Sequence, residues 1–253
     1  MPRRLARSLA AAALVLGLWA LLSASGRFSP ALLPSPKGVG EALAESWRSG
    51  VLLPALARSA VRGLGGYALG VGIGLPLGVA LAQSRPLDAL LGNLAVALQA
   101  LPSACWFPLA LLWFGPTEGA IRFVTITGAA PAVALAVRAG IRNLPPLIGQ
   151  AARTLGVCGW RLGWHVLLPA SLPACLIGMR QGWAFAWRTL MAAELLSQGL
   201  APGLGGLLKQ GQADKNIALM AATIGVILAI SLLADRALFS PLERAVARRW
   251  GTS

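Results

Sequence analysis

Residues 63–82 read GLGGYALGVGIGLPLGVALA, a stretch with no charged side chain. At 1.5 Å per residue, a helix of this length is about 30 Å long, which matches the hydrocarbon core of a bilayer. In water so many glycines would argue against a helix, because each costs about 1 kcal/mol relative to alanine. In lipid the argument reverses. No water competes for the backbone N–H and C=O groups, so an apolar segment must satisfy them internally as a helix. Gly66, Gly70, Gly74 and Gly78 recur every fourth residue, so they form one stripe along that helix. A stripe without side chains lets another helix approach closely. Its partner stays open at this level: a helix of the same chain, or a second copy.

The rest of the chain has the same character. Of 253 residues, 57% are hydrophobic and only 12% charged, against about 25% charged in a soluble domain. Mean hydropathy is +0.70. These values exclude disorder, a coiled coil and an ordinary soluble fold. Further apolar stretches lie at 9–25, 89–114, 121–137, 172–196 and 217–233. The expectation is an all-α polytopic membrane protein of about six spans, with 1–253 as a single transmembrane domain. The first stretch is short, and Ser23-Ala24-Ser25 resembles a signal-peptidase site, so a retained span and a cleaved signal both fit. After it, Leu33-Pro34-Ser35-Pro36 favours an extended start, and 39–47 reads as a surface helix. The third span carries Pro102 and Pro108 and is expected to break near Leu101-Pro102-Ser103, because proline removes a backbone donor.

The formal net charge of +14 would suggest nucleic acid in a soluble protein. Here the charges sit between apolar stretches, and they are denser on one side. Arg3, Arg4, Arg7, Arg85, Arg138, Arg142, Arg153, Arg161, Arg180 and the tail from Arg236 onward would share the inner side. The positive-inside bias then places both termini and the 143–169 loop in the cytoplasm, and no nucleic-acid partner is expected.

Catalytic machinery is not expected. Cys105, Cys158 and Cys175 form no Cys-x-x-Cys pair, and His165 is the single histidine, which is too little for a zinc or iron–sulfur site. A phosphate-binding loop needs Gly-x4-Gly-Lys followed by Ser or Thr. Lys37, Lys209 and Lys215 are followed by Gly38, Gln210 and Asn216. No cofactor is therefore expected on this chain, and it is not read as an enzyme.

The 143–169 loop is too polar to span. Asn143 can cap a helix, and Pro145-Pro146 suit a first turn. Leu147, Ile148, Ala151, Ala152 and Leu155 lie on one helical face, and Gly156 should end the helix. Residues 160–168 read as a second short helix, stopped by Pro169. Such a hairpin either lies on the lipid surface or docks on a cytoplasmic partner.

These residues carry a resemblance. Gln150-Ala151-Ala152-x3-Gly156-x9-Val166-x-Leu168-Pro169 resembles the E-A-A-x3-G-x9-I-x-L-P signature of bacterial ABC importer permeases. Leu33-Pro34-Ser35-Pro36, the run 109–115, Gly140-Ile141-Arg142, Ala192-Ala193-Glu194 and Gly203-Leu204-Gly205 are similar to the branch that imports sulfonates, taurine and nitrate. Gln150 stands where that family has Glu, and Val166 where Ile is common. The resemblance implies a permease subunit in the bacterial inner membrane. Gln150, Ala151, Ala152, Leu155, Gly156, Val166, Leu168 and Pro169 would form the loop that docks on a separate ABC ATPase, which would hold ATP and magnesium. A second permease copy and a periplasmic or lipid-anchored solute-binding protein are implied as well.

Candidate pathway residues come from the span at 172–196, which carries Arg188 and Glu194. An ionisable group at the centre of a span costs at least about 2.5–3.5 kcal/mol. Gln181 and Arg188 share a face at i, i+7; Trp183, Trp187 and Glu194 share the neighbouring one. Arg188 either lines a cavity that favours an anion, or is neutralised by carbonyls or an acid and fixes packing. Trp106 and Trp113 read as packing or interface aromatics. A stand-alone secondary transporter and a membrane scaffold are the competing readings. The first needs ion-binding acids, for which only Glu194 and Asp88 qualify.

Overall fold

The computed structural model describes every residue except 1, 28, 30, 31, 103, 104 and 251–253, and the side chains of all of those except 2–12, 249 and 250. The element order is α1 (Pro2–Ala24), α2 (Pro36–Arg48), α3 (Leu52–Gln83), α4 (Arg85–Leu87), α5 (Asn93–Ala100), α6 (Trp106–Phe114), α7 (Glu118–Arg142), α8 (Pro146–Thr154), α9 (Gly159–Leu162), α10 (Leu168–Ala170), α11 (Leu172–Leu196), α12 (Leu204–Ala213), α13 (Ile217–Ala234) and α14 (Ser240–Trp250). Wider π-helical turns join α4 to α5, α9 to α10 and α13 to α14. The described residues contain helices and no strand.

Among the described residues, three stretches are long and apolar enough to cross a bilayer: Leu52–Gln83, Glu118–Arg142 and Ile217–Arg248. A fourth is a bent pair, Gly159–Ala170 and Leu172–Leu196, with an angle of 84° between its halves. The segment expected as a third span is two shorter helices, α5 and α6, separated around Leu101-Pro102. Ser103 lies outside the described residues. Helix α3 starts at Leu52 rather than 63. Arg58 and Arg62 fall inside it because each finds oxygen acceptors on neighbouring segments.

The chain divides into two compact units. The first comprises Met1–Arg58 and Pro202–Ala229. In it Trp19 Nε1 donates to the Pro34 carbonyl at 3.0 Å. Ser35 caps α2, its Oγ accepting from Gly38 N at 3.1 Å, with Pro36 in the first turn. Helix α2 buries no residue. The chain turns tightly from α12 into α13: a Cβ on Gly211 would lie 2.7 Å from Met220 Cγ.

The second unit comprises Ser59–Ala201 and Ile230–Ser253, and α7 lies at its centre. The glycine stripe of α3 faces α7 of the same chain. A Cβ on Gly66 would lie 2.7 Å from Thr125 Cβ, one on Gly70 2.5 Å from Ala129 Cβ, one on Gly74 2.7 Å from the Ala130 carbonyl, and one on Gly78 2.6 Å from the Ala134 carbonyl. The partner left open by the sequence is therefore intramolecular. On its other flank α7 meets glycines of α11: Gly178 abuts Ala136, and Gly182 abuts Val133. Helix α7 returns the contact with Gly128, where a Cβ would lie 2.5 Å from Thr189 Cγ2. Val79, Val133, Val137, Ile141 and Cys175 form a buried cluster between these three helices.

Three charged knots tie the ends of this unit. At one end Arg62 Nε donates to Glu118 Oε2 at 2.8 Å and Nη1 to Glu194 Oε1 at 2.9 Å, while Nη2 reaches Glu118 and the Ala201 carbonyl. Ser59 Oγ donates to Glu194 Oε2 at 2.7 Å. The Arg62 side chain is 6% exposed and Glu194 1%. At the opposite ends of α3 and α7, Asp88 bridges Arg138 and Arg142 at 2.8 and 2.6 Å. Near the start of α11, Arg180 pairs with Asp235 and Glu243, drawing α14 onto α11.

Two outcomes follow. Gly74→Ala forces a side chain against a backbone oxygen and should cost about 1–3 kcal/mol, the range for overpacking. Gly72→Ala meets nothing within 4 Å and should match the wild type. Thermal unfolding in detergent compares the two, and equal midpoints would sink the packing argument. Arg62→Met removes the cation from the buried Glu194 carboxylate and should cost about 3–5 kcal/mol; Glu118→Gln, at a carboxylate 41% exposed, should cost clearly less in the same assay.

Candidate functional site

The loop that carries the sequence signal begins at Pro146, with Pro145 as the N-cap of α8. Asn143 does not cap it. Instead Asn143 ends α7, its N–H bonding back to Ala139 O at 3.0 Å. The two prolines force the backbone out of helix between α7 and α8. Helix α8 closes as its glycine predicts. Gly156 adopts φ +81°, a conformation that glycine takes without strain. Its N–H donates to Arg153 O at 2.9 Å, and Val157 N to Ala152 O at 3.0 Å, which satisfies carbonyls of the last turn.

The apolar face of this helix is split. Ala152 is buried, whereas Leu147 is 73% and Leu155 83% exposed. Gln150, Ala151 and Gly156 are exposed as well. The second part of the loop is anchored. Leu162 is 3% exposed, and a Cβ on Gly163 would meet Val79 Cγ1 at 2.6 Å. Leu167 and Leu168 pack on the valine cluster, and Val166 is half-buried. Pro169 does not stop the helix. The π-helical turn Gly163–Leu167 precedes it, and helix continues to Ala170. The wider turn shifts the hydrogen-bond register just where proline has no N–H to give. The chain breaks at Ser171 instead. Trp160 and Trp164 stack at 5.7 Å beside this segment and are partly exposed. His165 is exposed, and no group of three metal-binding side chains surrounds it among the described residues.

The three candidate pathway residues go to different places. Glu194 is buried in the Arg62 knot, because the start of α3 delivers a partner to it. Gln181 is exposed on a groove between α11 and α13, lined also by Ile177, Trp183, Ser231 and Leu232. Arg188 lines a cavity of about 200 Å³ with Gln99, Pro102, Trp106, Thr127, Phe185 and Thr189 among its walls.

That cavity exists because the third span is broken. Helix α5 ends at Ala100, Leu101 turns extended at ψ 130°, and α6 starts at Trp106. The gap opens over the close contact between Gly128 and Thr189. Arg188 Nε donates to the Ala184 carbonyl at 3.1 Å, and its guanidinium carbon stands 4.6 Å from the Phe185 ring centroid. No carboxylate pairs with it among the described residues. The structure thus gives Arg188 one backbone carbonyl as acceptor and a place in the cavity lining. Trp106 packs edge-on against Phe123 at 6.3 Å and also walls the cavity, whereas Trp113 only packs on Phe123. Sequence reasoning missed Phe185, Gln99 and Thr127. Phe185 was within reach, since a residue three before Arg188 shares its helical face. Gln99 and Thr127 needed the fold.

Comparison with known proteins places the chain. The family model described as binding-protein-dependent transport system inner membrane component matches residues 70–246. The Escherichia coli permease named for aliphatic sulfonates transport, SsuC, is 33% identical over 72% of this chain and 70% of its own length. The taurine transport system permease protein TauC, also of Escherichia coli, is 29% identical over 98% of this chain and 90% of its own. Among solved structures, an inward-facing form of the MetNI methionine ABC transporter superposes with a TM-score of 0.63 at 22% identity. It covers 75% of this chain and 91% of the solved one. At that identity the likeness speaks for the fold alone. Together with the family match and the loop between α7 and α11, these findings show that the chain belongs to the inner membrane components of binding-protein-dependent transport systems, as a permease subunit of the ABC importer kind.

Proposed function

We propose that this permease imports a small organic anion past the Arg188 cavity, driven by a separate ATPase that docks on α8. The observation that carries the solute class is Arg188 itself, a cation beside a broken span with no carboxylate near it among the described residues. An intramembrane charge of this kind is costly unless a ligand or a wet cavity compensates it. The sulfonate and taurine names of the relatives agree with an anionic group.

The partners follow from the same placement. Leu147, Gln150, Ala151 and Leu155 form an uncovered ridge, while Leu162, Leu167 and Leu168 root it in the core. A partner that grips the ridge would therefore pull on folded protein. ATP and magnesium would be held by that partner. A solute-binding protein would deliver cargo from the opposite side, and a second copy of this chain would complete the pathway. Both termini and the α8–α10 loop would then face the cytoplasm. A stand-alone ion-coupled carrier is disfavoured, because Asp88 and Glu194 are already held by arginines.

The test is uptake into proteoliposomes that contain the permease with its ATPase and binding protein. Arg188→Gln should lower uptake of a labelled sulfonate at least about tenfold, which is 1.4 kcal/mol, with the complex still assembled. Wild-type uptake by that variant would overturn the pathway reading. Leu155→Glu should abolish ATPase retention through size-exclusion chromatography and leave the melting point of the permease unchanged. Full retention would remove α8 as the docking element.

A further inference from the structure

We infer that Phe185 is a positioning residue that presents Arg188 as an uncompensated cation, so that the cavity selects a monoanion over a zwitterion of the same skeleton. The inference rests on the anion reading above and goes one step further, to what the solute must lack.

The first support is the disposition of acids. In the unit that contains the cavity, Asp88 is held by Arg138 and Arg142, Glu118 and Glu194 by Arg62, and Asp235 and Glu243 by Arg180. None of them lines the cavity. Its wall combines one guanidinium with the apolar surfaces of Leu98, Trp106 and Phe185, the Gln99 amide and the hydroxyls of Thr127 and Thr189. A solute anion finds a charged partner there. A solute ammonium finds none, and within so small a space it must also sit near Arg188. At about 200 Å³ the cavity lies below the range of drug-sized pockets, about 300–1,000 Å³, so both ends of a small solute would share one electrostatic environment.

The second support is how Arg188 is held. Most arginines in this unit that are anchored at all are anchored by a carboxylate, which cancels their charge. Arg188 is anchored by a ring face at 4.6 Å and a carbonyl at 3.1 Å. The ring attracts the cation through its quadrupole and carries no net charge. The ring face and the carbonyl thus orient the guanidinium without setting an opposing charge beside it. Spacing of three residues on α11 puts the ring and the cation on one face. A carboxylate in place of Phe185 would fix the arginine equally well and extinguish its use.

The experiment is equilibrium binding of labelled ethanesulfonate and taurine to the detergent-solubilised permease–ATPase complex, with the binding protein left out. The two probes differ by one ammonium group, and any preference arises within the complex. The wild type should bind ethanesulfonate at least about tenfold more tightly than taurine. Phe185→Leu should lose about tenfold in ethanesulfonate affinity and shrink the ratio between the probes, while Phe185→Tyr, which keeps the ring face, restores both. A purely structural role would lower both affinities together and leave the ratio fixed. Ethanesulfonate binding that disappears in Arg188→Gln yet is unchanged in Phe185→Leu overturns the role of Phe185 and keeps the anion reading. Equal binding of the two probes overturns the selectivity. Failure of the wild type to bind either probe overturns the anion reading along with it.

Discussion

The structure depends on how closely α3, α7 and α11 approach one another. Lipid tails are as apolar as leucine, so burial in a bilayer gives helices little reason to associate. What remains is contact, and contact is greatest where nothing intervenes between backbones. The stripe Gly66, Gly70, Gly74 and Gly78 removes side chains from one face of α3, and Gly178 and Gly182 do so on α11. Helix α7 is held between them, and its middle is buried as completely as a soluble core: Val124, Val133, Ala134 and Val137 have no exposed surface. Every site in this unit takes its position from α7. The cavity floor is Gly128 on α7 against Thr189 on α11, and the loop helices continue directly from its end.

Close packing of apolar helices sets distance but little else, since small residues slide past one another at low cost. The charged knots supply register. Arg62 makes four contacts to three segments, Asp88 holds two arginines of α7, and Arg180 holds two acids near the end of the chain. Buried ion pairs add little net stability when desolvation is counted. Their value here is directional: the Arg62 knot joins α3 to the start of α7 and the end of α11, and the Arg180 knot joins α11 to α14. Arg188 stands out against this pattern as the arginine of α11 that meets a cavity and no acid.

Much of this was legible in the chain, and the limits have physical causes. The glycine stripe, the break at Leu101-Pro102 and the end of α8 at Gly156 are local patterns, and each implies a local conformation. The identity of the stripe's partner was not legible, because a Gly-x3-Gly surface carries no address. The fate of Glu194 was hidden for a related reason. Its partner Arg62 lies far away in sequence, on a turn that looks too polar to belong to a span. The start of α3 was missed through the same residue: an arginine reads as the edge of an apolar stretch until its acceptors are known. Pro169 misled as a stop, because a π-helical turn can absorb a missing donor and nothing in the sequence announces one. Gln181 and Arg188 share a face in a helical projection yet line different openings, since α13 and the broken third span meet that face at different heights.

The bend at Ser171 connects the two functional regions. Helices α9 and α10 meet α11 at 84°, and α11 then runs unbroken from Leu172 to Leu196. Arg188 stands sixteen residues along it, about 24 Å from its start. A force applied to α8 reaches the core through Leu167, Leu168 and Gly163, which are packed and cannot yield independently. Close-packed interiors transmit displacement instead of absorbing it. Under the docking proposed above, a lateral push on the loop would bear on the start of α11 across this bend. The wall that carries Arg188 and Phe185 belongs to the far half of α11, the floor to α7, and the opposite wall to α5 and α6. In the import cycle proposed above, movement at α8 would reach the cavity through α7 and α11 together, the two helices that join the loop to its lining.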